Sequence, residues 1–158
     1  RALDDAWSAK AALDEEHRAA WTQLWKSGVQ LTGETWFANQ LKQHVNSSLY
    51  YILSSVRDDW FPGVSPGGLA TPNYNGAVFF DQDFYVGGSL LLLHPHLAAS
   101  IAQYRVNGIP AAQQIAKDFG YDGLMFPWTG GYLGRPFGCC GGHGTSPENC
   151  MEQHITPD

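Results

Sequence analysis

The sequence predicts an all-α protein. Apolar residues recur at helical spacing through residues 2–27 and 34–57. A nearly continuous apolar segment, 81–93, stops at His94-Pro95, and proline suits the first turn of a new helix. Glycine and proline punctuate these patterns, and only one short stretch alternates as a strand would.

The first element is an amphipathic helix over 2–27. Leu13, Trp21, Leu24 and Trp25 mark one face, and Asp4, Asp5, Asp14, Glu15 and Glu16 lie toward its N-terminal half, where acids favour the helix dipole. Gly28 is the expected stop. Val29 and Leu31 alternate with polar neighbours as in a short strand ending at Gly33. The second helix covers 34–57, with Trp36, Phe37, Leu41, Val45, Leu49, Ile52, Leu53 and Val56 on one broad face. Residues 58–77 carry no period and form a long loop, whose Trp60, Phe61, Val64, Leu69 and Tyr74 argue that it is ordered.

The third helix, 81–93, is apolar on nearly every side after Asp83, which predicts burial all round. Pro95 opens a fourth helix running to about Asn107. Gly108 separates it from a fifth, opened by Pro110 and closed by Gly120. Beyond Tyr121 the chain is loop-like. Five helices in 158 residues scarcely surround a helix that is greasy on all sides. The chain is therefore expected to be a piece of a larger domain, or to dock on another chain. A start at Arg1 without Met fits a processed or partial chain.

Charge and composition exclude several classes. Net charge is −6, and no run of Lys or Arg exists, so nucleic acid and anionic membrane are poor partners. The longest apolar run, Leu90–Leu93, is far too short to span a bilayer. Cys139, Cys140 and Cys150 allow one disulfide, from Cys150 to either neighbour, and leave one thiol over. With His143 or His154 they match no standard structural-zinc spacing, so no metal and no cofactor is expected. Asn46-Ser47-Ser48 is a glycosylation sequon inside a helical pattern, and reads as helix rather than glycan site. Together these features lean toward an extracellular or lysosome-like compartment.

Chemistry concentrates where the long loop enters the third helix: Phe79, Phe80, Asp81, Gln82, Asp83, Phe84, Tyr85. Aromatic faces stack on the apolar face of a sugar ring, and carboxylates accept hydrogen bonds from its hydroxyls. The plainer reading is that Asp81 and Asp83 cap a helix start. Asp83 is expected to be a structural acid, and His94 to cap or pack. Trp21, Trp25 and Trp36 read as packing residues. Arg57, Asp58 and Asp59 read as a solvated charge cluster. Gly67-Gly68 lacks the Lys-Ser/Thr of a phosphate loop, and neither a Gly-x-Ser-x-Gly elbow nor a His-Glu-x-x-His pair occurs.

Longer stretches carry a family resemblance. They include His17-Arg18-Ala19-Ala20-Trp21, Asn46-Ser47-Ser48-Leu49-Tyr50-Tyr51, Ser65-Pro66-Gly67-Gly68-Leu69, Gly76-Ala77-Val78-Phe79-Phe80-Asp81-Gln82-Asp83, and Leu92-Leu93-His94-Pro95. Tyr104-Arg105, Gly120-Tyr121-Asp122-Gly123, Met125-Phe126-Pro127-Trp128 and Glu152-Gln153-His154-Ile155 continue the series. In order and spacing the chain resembles glycoside hydrolase family 65, in its acid trehalase-like and protein-glucosylgalactosylhydroxylysine glucosidase-like branch. The resemblance implies an incomplete (α/α)6 barrel, with 1–33 as linker helix and short strand and 34–158 as the first part of the barrel. It implies inverting action on α-glucosidic bonds, with the general acid and base outside this chain and no catalytic residue within it.

What the resemblance leaves here is sugar-binding equipment. Asp81 matches an aspartate that grips the hydroxyls of the sugar whose bond is broken. Phe80 stands where the family usually has Trp, keeping a stacking face but losing the indole donor. Trp128 matches a pocket tryptophan, but Thr129 stands where Glu usually follows. Glu152 and His154 match a Glu-x-His pattern at the pocket rim. Residues 130–150 fit the family poorly. The implied partners are a glucose-containing saccharide and the remainder of the barrel or a partner chain. The alternative is a non-catalytic carbohydrate-binding or structural assembly protein derived from this family.

Overall fold

The computed structural model describes residues 2–136. Among them no strand or sheet forms, and extended pairing is confined to two isolated antiparallel bridges, Val78 with Gly130 and Gly130 with Pro136. The all-α class read from the sequence is the class the described chain adopts. Its contacts divide into a first unit, up to Asn46, and a second from Ser47.

The first unit begins with helices α1 (Ala2–Ser8) and α2 (Lys10–Leu24). The single helix expected over 2–27 is interrupted at Ala9, whose ψ is 7°. The interruption is slight. The Ala9 N–H still donates to the Asp5 carbonyl, and the Leu13 N–H to the Ala9 carbonyl, each at 3.0 Å. No residue of α2 is buried, so its stability rests on local terms. These include a Lys10–Asp14 pair one turn apart and the Trp21 and Trp25 rings, stacked at 6.2 Å. The helix ends at Leu24, ahead of the expected stop at Gly28. The strand expected at Val29 and Leu31 does not form. Alternation alone does not make a strand; a paired neighbour must satisfy its N–H and C=O groups.

Helix α3 (Trp36–Ser55) matches the second expected helix closely. Its start is explained by Thr35, whose Oγ1 accepts the Ala38 N–H at 3.1 Å and so satisfies a donor that the first turn leaves over. Trp36, expected to pack, is instead exposed.

In the second unit Leu49, Leu53 and Val56 are buried along with Val64, Val78, Leu90, Ile101, Tyr104 and Met125. The segment 81–93 is not one helix. A π-helix, Gln82–Gly87, runs into α4 (Gly88–Leu93). Nor is it buried all round: Leu90 is sequestered, whereas Phe84, Tyr85, Leu91 and Leu92 are 59–85% exposed. Apolar composition states what a surface favours; burial needs enough neighbours to exclude water, and among the described residues these four are not covered.

The fourth and fifth expected helices are one, α5 (Pro95–Asp118), with His94 at its N-cap and Pro95 in its first turn. Gly108 and Pro110 do not break it. Gly108 has a packing role: its backbone lies against Gly134, and a Cβ on Gly134 would come within 2.8 Å of the Gly108 Cα. Pro110 removes only its own N–H, and Val106, whose carbonyl loses that donor, is exposed. Tertiary contact along Ile101, Tyr104, Ala112 and Ala116 outweighs the propensity cost.

The long loop is ordered by side chains at its ends. Near its middle the Leu69 N–H donates to Ser55 Oγ at 3.0 Å, and a short 3-10 turn closes it at Asn73–Gly76. Tyr74 and Asn75 both take left-handed backbone there, at φ 68° and 51°.

Candidate functional site

The loop enters the helical segment through Ala77 and Val78, both buried. Val78 is fixed by a reciprocal backbone pair with Gly130, at 2.7 and 2.8 Å. That bridge brings the 79–81 turn beside the segment that carries Trp128. The Phe80 and Trp128 rings stack at 5.4 Å with 26° between their planes, and Phe79 meets Trp128 edge-on at 5.9 Å. Tyr74 packs edge-on against Phe79, and Tyr85 lies 6.0 Å from Phe80. Two of the sequence-derived candidates, Phe80 and Trp128, are therefore in direct contact. Neither is fully buried.

Asp81 follows at the first helical position before the π-helix, with φ −50° and ψ −37°. It is partly exposed, and its carboxylate makes no capping hydrogen bond. The capping explanation for this acid therefore fails, and its oxygens stay available as acceptors. Asp83 behaves differently. The Arg105 Nε, from α5, donates to both Asp83 oxygens at 3.2 and 3.1 Å, and Nη2 donates to Oδ2. The Arg105 guanidinium lies 5.2 Å from the Tyr104 ring centre and 5.8 Å from that of Phe126. Asp83 is thus committed within the fold, as the structural reading of it requires. Two acids two residues apart have different environments: one is paired and half-covered, the other uncapped.

Gln82, between them, is 1% exposed. Its Oε1 accepts the Val64 N–H at 2.9 Å, tying the turn to the long loop. Gly63 makes room for this: its φ is +87°, and a Cβ there would meet Val78, Gln82 Oε1 and Tyr104 within 2.8–3.1 Å. Tyr104 is also buried, and its hydroxyl donates to the Gly131 carbonyl at 2.8 Å. Burial pushes the Tyr104 phenol up to about 12. Sequence reasoning passed over Gln82, Tyr104 and Gly63. The available signal was an amide between two acids in an aromatic run, where a polar residue needs a buried partner.

Other candidates fall apart from this cluster. His94 is buried and packs edge-on to His96 at 6.0 Å; its side chain makes no capping hydrogen bond, and among the described residues its Nε2 has no hydrogen-bond partner. Trp60 and Phe61 are about half exposed. Asp59 pairs with Arg57 on the surface, and that hydrogen bond lowers its pKa, the wrong direction for a proton donor at neutral pH. Glu152, His154 and the three cysteines lie outside the described residues. Among the described residues no cluster of His, Cys, Asp and Glu could hold a metal ion, and no helix is long and apolar enough to cross a membrane.

Among the described residues, then, a helical fold sets an uncapped acid beside a stacked aromatic pair. The glycosyl hydrolase family 65 central catalytic domain matches residues 46–138. The chain is 41% identical over 150 residues to protein-glucosylgalactosylhydroxylysine glucosidase of Dictyostelium discoideum, covering 92% of this chain and 20% of that protein. It is 34% identical to kojibiose hydrolase of Flavobacterium johnsoniae, covering 97% and 21%, and 37% identical to kojibiose hydrolase of Mucilaginibacter mallensis, covering 91% and 20%. The chain belongs to glycosyl hydrolase family 65. It spans about a fifth of the length of these curated relatives.

Proposed function

We propose that this chain is a segment of an inverting glycoside hydrolase acting on α-glucosidic bonds, and that it supplies part of the glucose pocket. The observation that carries this reading is the contrast at 81–83: Asp83 is consumed by Arg105, while Asp81 keeps its acceptors beside the stacked Phe80–Trp128 pair. In this reading Asp81 accepts hydrogen bonds from glucose hydroxyls, and Phe80 and Trp128 present an apolar edge to the ring. Residues 1–33 serve as linker and 34–158 as the first part of an α/α barrel, with Glu152 and His154 at the rim. The remainder of the barrel covers the exposed Phe84, Leu91 and Leu92. Relatives named for glucosylgalactosylhydroxylysine and kojibiose support a glucose-containing saccharide as substrate.

Inversion needs a carboxylic acid to protonate the leaving oxygen and a carboxylate to activate water, about 6.5–9.5 Å apart. Neither role is assigned to a residue of this chain. The test is hydrolysis of kojibiose and of glucosyl-galactosyl substrates by the 158 residues alone and by the longer protein, with glucose titration followed by tryptophan fluorescence. We expect turnover only in the longer form, and loss of the glucose response in Asp81→Ala. Turnover by the short chain would overturn the placement of the chemistry.

A second reading, a non-catalytic carbohydrate-binding or assembly protein, draws on one feature. Thr129, where the resemblance leads one to expect an acid, is 6% exposed and so is committed to the interior. Glucose binding without turnover in the full-length protein would favour it.

A further inference from the structure

We propose that Gln82 is a positioning residue for the sugar site: its buried carboxamide fixes the turn that presents Phe80 and Asp81, without touching the sugar itself. The inference rests on the reading of Asp81 as a sugar ligand. Three anchors hold this turn. On the N-terminal side Val78 is bridged to Gly130. On the C-terminal side Asp83 is forked to Arg105 of α5. Between them Gln82 reaches across to the Val64 N–H at 2.9 Å, and its Nε2 lies 3.4 Å from Asp83 Oδ1. The amide therefore links the long loop, the turn and the ion pair in one polar path.

The anchors leave one side chain of the turn uncommitted. The backbone of the turn is bonded onto itself, Asp83 N–H and Phe84 N–H both donating to the Phe80 carbonyl at 2.9 and 3.0 Å. Among residues 81–83 the Asp81 carboxylate alone makes no hydrogen bond to the described residues. A ligand acid must be held in place without spending its own acceptors, so its neighbours must do the holding. An apolar side chain at 82 would fill the same space but leave the Val64 N–H buried and unpaired, and the turn would be free to rotate. The π-helical start fits this role, since such single widened turns occur often at functional sites.

The experiment uses the full-length protein and glucose as probe, with Gln82→Met, which keeps the volume and removes the amide, and Gln82→Asn, which keeps the amide but cannot span to Val64. Melting temperature and glucose Kd are measured for each, the latter well below the melting point. The expected result is a Kd raised about tenfold in either folded variant. Merely structural packing would lower the melting temperature and leave the Kd of the folded protein unchanged, and that result overturns the proposal. If Gln82→Met does not fold, Gln82→Asn decides by the same criterion. Asp81→Ala separates the two levels. If it abolishes binding while the Gln82 variants bind as the parent does, the positioning role alone is lost; if it leaves binding intact, the sugar-site reading fails with it.

Discussion

Replacing Gly63 by alanine should destabilise the second unit far more than the same change at Gly76, and the difference measures how tightly the loop is packed on the turn. Both glycines have left-handed backbone, φ +87° and +76°. Alanine therefore incurs a similar conformational cost at each, about 1 kcal/mol. Their surroundings differ. A Cβ at Gly76 meets nothing within 4 Å, whereas at Gly63 it meets Val78 Cγ2 at 2.8 Å, Gln82 Oε1 at 2.9 Å and Tyr104 Cδ2 at 3.1 Å. All three neighbours are buried, so they cannot swing into solvent. Overpacking of this kind costs about 1–3 kcal/mol. Gly63→Ala is thus expected to lose about 2–4 kcal/mol and Gly76→Ala about 1 kcal/mol. In urea, with a slope of about 2 kcal/mol/M, the two midpoints should differ by about 1 M. Equal midpoints would refute the reasoning, because strain without contact would then account for both.

Three further outcomes follow from the same geometry. Asp81→Ala should change stability by less than about 0.5 kcal/mol in thermal unfolding, because the carboxylate caps nothing; a loss of about 1 kcal/mol would return it to the role of cap. Thr35→Ala should cost about 1 kcal/mol, since it removes the acceptor for the Ala38 N–H, and loss of α3 signal at lower temperature by circular dichroism checks it. Tyr104 should give stability an alkaline limb: its folded pKa is raised from 10.0 to about 12, so its contribution is whole below pH 10 and is lost as pH climbs to about 12. The loss by pH 12 should be about 2 kcal/mol, and Tyr104→Phe, read in urea melts from pH 9 to 12, should flatten it.

The elements were legible where local chemistry and tertiary packing agree. The apolar period from Trp36 to Val56 announced α3, and His94-Pro95 announced the start of α5. The errors lie where the two disagree. Gly108 and Pro110 read as a break because each weakens a helix by itself, but Gly108 is where the Gly134 backbone comes against α5. That requirement belongs to a residue 26 positions away, which no local window contains. The strand at Val29 and Leu31 failed for the complementary reason: its pattern alternates, but no strand stands beside it among the described residues.

The site shows the same limit at the scale of single carboxylates. Asp81 and Asp83 are the same residue type, flank one glutamine and share one aromatic run, so composition and spacing treat them alike. Their difference comes from α5, which places Arg105 against Asp83 and no cation on Asp81. Helical geometry explains the choice: side chains two apart on such a turn point to roughly opposite sides, so one basic residue on α5 reaches only one of them. Asp83, which meets α5, is neutralised by the fold, and Asp81 makes no capping hydrogen bond. Which of the two would be which depends on the phase of the turn relative to α5. That phase is set by the Val78–Gly130 bridge and by the reach of Gln82 to Val64, contacts spanning 52 and 18 positions of sequence. Under the proposed sugar site, a ligand acid is defined less by its own identity than by what its neighbours have already claimed.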